Sequence, residues 1–82
     1  MTTSTKIDAM AILEKRGLDR EEFLIKLLNS PSKKETIQGE DGKSYTFCGR
    51  GSCNLYLVVI DSDKESSASY TDWVEIYSMS DH

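Results

Sequence analysis

The chain has 82 residues, 38% of them hydrophobic, and a formal net charge of −4. That is enough for one small core, and no apolar run reaches the roughly 20 residues of a membrane-spanning helix. The negative balance disfavours nucleic acid as the main partner, because binding to it draws most of its affinity from neutralising phosphates.

The opening "MTTSTKIDAM" carries no apolar export core, so a cytoplasmic single domain over residues 1–82 is expected. Thr5 and Asp8 have the spacing of a helix-capping box. In "KIDAMAILEKR", Ile7, Met10 and Ala11 share one helical face, and Ala9, Ile12 and Leu13 lie on the adjoining one. Lys15, Arg16 and Gly17 read as a helix end, with cations in the last turn and then a residue free to take positive φ. Asp19 and Glu22 start a second helix, "REEFLIKLLN", whose Phe23, Leu24, Leu27 and Leu28 form an apolar stripe. Pro31 ends it. Residues 1–30 are thus expected to form a helical hairpin.

From Pro31 the hydrophobic period changes from helical to alternating. "ETIQ" is a short strand, "GEDG" a turn, and "KSYTFC" a strand with Tyr45 and Phe47 on one side. "GRGS" is expected to close a hairpin that sets Cys48 opposite Cys53. "CNLYLVVID" alternates Leu55, Leu57 and Val59 with Tyr56, Val58 and Ile60, as a central strand should. "SDKESSAS" reads as a mobile polar loop, and "YTDWVEIYSM" as a last strand before a frayed "SDH" tail. The fold class expected is α+β: an N-terminal αα-hairpin on one face of a three- to four-stranded antiparallel meander spanning residues 35–79.

Chemistry is sparse in this sequence. The single His is residue 82, so no embedded Ser-His or Cys-His pair is available. Cys48, Cys53 and His82 fall short of the four ligands of a structural zinc site. "DSDKE" lacks the glycine and terminal Glu of a calcium loop. No catalytic residue, metal or cofactor is expected. Without an export signal the two cysteines are expected to stay reduced, as small residues flanking a hairpin.

Arg50 between two glycines offers a different reading. "DGKSYTFCGRGS" resembles the DNA-contacting loop of the histone-like nucleoid-structuring family, and "KRGLDREEFLIK" resembles that family's terminal helix. In the family the loop comes before the helix, and further basic residues follow it; here the order is reversed and Ser52, Cys53 and Asn54 follow. "EKRGLDREEFLIKLL" is similar to the first two helices of a helix-turn-helix repressor, although "NSPSKKETIQGEDGKSY" supplies no convincing recognition helix after them. The resemblances imply a small DNA-binding regulator using Arg50 with Lys33, Lys34 and Lys43.

The acidic end carries the preferred reading. Residues 61–82 hold six Asp/Glu against Lys64 alone, while residues 1–38 hold seven Lys/Arg against six Asp/Glu. Tyr45, Tyr56, Tyr70, Trp73 and Tyr77 exceed what so small a core absorbs. Strict alternation places Thr71, Trp73, Glu75 and Tyr77 on one face and Val74 and Ile76 on the other. Either the register is reversed and Trp73 closes the core, or Val74 and Ile76 turn to the helices and leave Trp73 and Tyr77 exposed. Trp73, Tyr77, Asp72 and Glu75, with Asp61 and Asp63 at the rim, would then meet a basic protein surface. The expectation is a small acidic, non-enzymatic protein-binding module: a regulator, inhibitor or antitoxin-like adaptor of the phage-encoded kind. An edge strand also offers a route to a homodimer.

Overall fold

The computed structural model describes residues 3–39, 42–51, 53–67, 69 and 72–80. Helices α1 (Thr3–Lys15) and α2 (Arg20–Leu28) precede strands β1 (Lys34–Gln38), β2 (Ser44–Arg50), β3 (Asn54–Asp61) and β4 (Val74–Ser80). A 3₁₀ segment, Ser62–Ser67, lies between β3 and β4. The strands pair antiparallel in chain order, β1-β2-β3-β4, as one open sheet. The architecture is the expected α+β, with the helices packed against a four-stranded meander.

The helix ends follow from local chemistry. α1 begins at Thr3, two residues before the expected cap at Thr5. Asp8 instead accepts a hydrogen bond from the Tyr45 hydroxyl at 3.3 Å. At the other end Gly17 takes φ 68. There the Leu18 amide reaches back to Leu13 O at 2.9 Å and the Gly17 amide to Glu14 O at 3.0 Å. These two bonds make a Schellman cap, and they bring Leu18 over Leu13 at the core margin. Asp19 caps α2 by accepting from the Glu22 amide at 3.2 Å.

Ala9 and Leu13 of α1, with Phe23, Leu24 and Leu27 of α2, meet Ile37, Tyr45, Phe47, Leu57, Val59 and Ile76 of the sheet. Phe23 and Phe47 cross edge to face, with ring centroids 5.4 Å apart. Ile7, expected on the apolar face, is 64% exposed, and Ala11 is exposed as well. The adjoining Ala9 and Leu13 face is the one that enters the core, with Met10 and Ile12 packed at its margin.

The β2–β3 hairpin departs from the expected turn. β2 continues through Gly49 and Arg50, so Cys48 pairs with Val58 and not with Cys53. Gly49 is buried within the strand, where a Cβ would lie 3.2 Å from Leu28 Cδ2 and 3.3 Å from Leu24 Cδ1. Its small size lets α2 approach. Gly51 is the turn glycine, with φ 111, and a Cβ there would collide with the Asn54 carbonyl oxygen.

Two substitutions on α2 check this packing. Leu24→Ala should lower the unfolding free energy by about 2–5 kcal/mol in denaturant titration. Ile25→Ala, at a side chain left 42% exposed, should change it by no more than about 0.5 kcal/mol.

Candidate interaction face

The helices cover one face of the sheet. The other is built from residues that stand opposite one another across strands and so share a side. One row is Lys34, Cys48, Val58 and Glu75; a second is Thr36, Thr46 and Ile60; a third is Arg50, Tyr56 and Ser78.

The chain itself covers the second row. The Thr46 hydroxyl is buried, and it donates to Glu65 Oε1 at 3.2 Å. Its one proton is then committed, so Thr36 Oγ1 at 3.1 Å and Ser62 Oγ at 2.9 Å donate to it. The other Glu65 oxygen takes Lys34 Nζ at 2.9 Å. The 3₁₀ segment, expected to be a mobile loop, is therefore fastened across β1 and β2. The Asp61 carboxylate accepts from the Asp63 amide at 3.0 Å and starts the segment.

What remains uncovered is an open depression of ≈ 420 Å³ lined by Arg50, Gly51, Tyr56, Val58, Trp73 and Glu75. Trp73 is half-buried there and is not part of the core cluster. Glu75 is exposed beside it. Asp72 flanks the site but is tied into its own turn, accepting from the Ser69 amide at 2.8 Å and the Ser69 hydroxyl at 3.3 Å.

Tyr77 does not share this face. Leu57 pairs with Tyr77 and the next residue, Val58, pairs with Glu75, so β4 carries one extra residue, Ile76, at a bulge. Strict alternation fails at that point. Ile76 enters the core and Tyr77 packs at its margin. The Tyr77 hydroxyl donates to Glu21 Oε1 at 3.1 Å, and the Arg20 guanidinium lies 5.7 Å from the centre of its ring. Loss of solvent, then the Glu21 carboxylate, pushes the Tyr77 phenol above its ordinary range. Tyr70 and Thr71 lie outside the described residues.

The basic residues also separate. Arg50, expected at a hairpin tip, is a strand residue of the depression. Lys34 stands opposite Cys48 with Lys33 just before it, and the charges of Arg50, Lys34 and Lys33 act on the Cys48 thiol. Burial outweighs them and pushes that thiol up, away from a reactive thiolate. Lys43 stands before the opposite end of β2, roughly 20 Å from Arg50 at the usual rise per residue. The segment after α2 forms β1, so no recognition helix follows the hairpin. Cys53 is exposed in the turn, and His82 lies outside the described residues. Among the described residues no group of three or more His, Cys, Asp or Glu is placed to hold a metal ion. No helix among the described residues is long and apolar enough to cross a membrane.

Residue reasoning missed the joining of Arg50 and Tyr56 to Trp73. The only signal for it is the Tyr56, Val58, Ile60 alternation, combined with a β2 that ends two residues past Cys48. Comparison with protein-family models, with curated proteins and with solved structures finds no match.

The Lys34–Glu65 contact fixes a pH response. Its hydrogen bond to Lys34 holds the Glu65 carboxyl below the ordinary 4.5. Near that value the unfolded chain binds more protons than the folded one, so this stabilisation is complete above it and is lost as pH falls through the lower folded value. The same hydrogen bond raises Lys34 above 10.5, so at the alkaline end the contact is lost as pH rises past the raised value. Melting temperature followed from about pH 6 to about pH 3 should fall less steeply in Glu65→Gln than in wild type.

Proposed function

We propose that this chain is a small non-enzymatic protein-binding module that takes a basic partner on its open sheet face, with Trp73 as the anchor. The observation that carries the reading is the depression itself. It places Trp73 and Tyr56 beside Arg50 and Glu75, on the side the helices leave uncovered. Trp, Tyr and Arg are the residue types that dominate binding hot spots, because they give large contact area for little lost side-chain entropy. Glu75 lies in the depression, and Asp72 and Asp63 are exposed nearby in sequence, within the acidic stretch 61–82. Their field would orient a basic surface and speed its association. A regulator, inhibitor or antitoxin-like adaptor acting by occlusion fits such a module. Asp61, Asp72 and Tyr77 support this face through the 3₁₀ segment, the Ser69 turn and α2.

The second reading is a small DNA-binding regulator. It is favoured by Lys34 and Arg50 standing on the open side, in the neighbouring rows that hold Cys48 and Tyr56. Retention on heparin that collapses with salt would favour it.

Trp73→Ala should weaken capture of the partner from the native cell by about 2 kcal/mol or more in Kd. Glu75→Gln should chiefly slow association and flatten its salt dependence. In the free protein, Trp73 emission should be quencher-accessible. A blue-shifted, protected emission would remove the anchor, and with it the reading.

A further inference from the structure

The two edges of the sheet differ. β1 has five residues, "KETIQ", and is guarded. Lys26 pairs with Glu35 at 3.5 Å, Lys34 is held by Glu65, and Arg16 Nη2 donates to the Gln38 carbonyl oxygen at 3.5 Å. Charge and such cover are the usual protections of an edge strand. β4 has seven residues, "VEIYSMS", with Glu75 its only charge and no proline. Among the described residues, its outer side has no strand neighbour and no backbone hydrogen bond beyond the ladder to β3.

Acidic side chains flank this edge on both sides of the sheet. Glu75 lies on the open side beside Trp73. On the helix side the Tyr77 ring meets Glu21 and feels Asp19, with Arg20 as the cation among them. Side chains of an added strand alternate between the two sides, so basic residues at either parity would find a carboxylate.

We propose that the partner docks as an extended basic segment along β4, adding a fifth strand to the sheet. The proposal rests on the protein-binding reading above and specifies its partner. Backbone hydrogen bonds to Val74–Ser80 would supply affinity, while Glu75 and Glu21 with Trp73 would select basic over acidic sequences. The bulge at Ile76 twists the strand, so Tyr77–Ser80, the regular part of the ladder, is where pairing would be continuous.

The test uses the full chain and a peptide of alternating Lys and Val matched to the seven residues of β4. Amide hydrogen exchange is followed by NMR, residue by residue. The expected result is exchange slowed by roughly tenfold or more at alternate amides of Val74–Ser80. The same peptide N-methylated at alternate amides, or carrying Glu for Lys, should lose the effect. Unchanged exchange along β4 overturns the proposal. If the peptide nevertheless shifts Trp73, Tyr56 and Arg50 signals, and Trp73→Ala abolishes those shifts, the face reading survives and only strand addition falls. Protection of β4 in the free protein that rises with protein concentration also overturns it, because a second copy would then own the edge.

Discussion

The close approach of α2 to β2 is the constraint from which the rest of the molecule follows. Leu24 and Leu28 reach the sheet where Gly49 has no side chain, and Phe23 crosses Phe47 next to that point. Burying these rings and leucines is the largest favourable contribution a chain of this size has, at roughly 25 cal/mol per Å² of apolar surface. The contact fixes which side of β2 faces inward. Through the register it then fixes the inward side of β1 and β3. The two helices pack on that one side, so the second face is left to the other side of the strands by where α2 docks.

The chain treats that second face unevenly. Over Thr46 it lays the 3₁₀ segment, and Thr36, Ser62 and Glu65, with Lys34 on the outer carboxylate oxygen, satisfy that buried hydroxyl. A partly satisfied cluster would cost more than an exposed one, since each orphaned buried group loses its water without replacement. Over Arg50, Tyr56 and Trp73 no described segment lies. The boundary between the two regions runs along the row Lys34, Cys48, Val58, Glu75. Glu65 anchors one end of that row by pairing with Lys34, and Glu75 stands at the other. The polar fastening therefore defines how much of the face is left for a partner.

Much of the fold was legible because its signals are local. Gly17 behind Lys15 and Arg16, Asp19 before Glu22, and the shift from helical to alternating period after Pro31 each have one physical reading, and each formed as read. What was illegible depended on partners distant in sequence. Gly49 and Gly51 look alike in "CGRGSC", yet one makes room for a helix and the other bends the chain. Only the position of Leu28 tells them apart. The bulge at Ile76 is similarly silent, because "WVEIY" alternates without fault and the extra residue exists only relative to β3. Its effect on the site is large. It sends Tyr77 to Glu21 and Arg20 and leaves Trp73 and Glu75 as the outer pair. Asp61 and Asp72 are surface carboxylates that also accept from backbone amides of their own turns, a second role that depends on how those turns fold.

Face and edge are linked by the chain itself. Trp73 immediately precedes β4 and Glu75 is its second residue, so the proposed anchor of the open face adjoins the outermost strand. A partner filling the depression from the β4 side passes over backbone groups that no described strand engages. Binding there without meeting those groups would strip water from them and leave them unsatisfied, at about 1–3 kcal/mol each. Engaging them turns that penalty into ladder hydrogen bonds. Tyr77, diverted by the bulge, then has a positive role: its bond to Glu21 ties β4 to α2. A preformed edge spares a partner the entropic cost of ordering it. The same bulge that removes the Tyr77 ring from the open face thereby helps hold the strand that Trp73 adjoins.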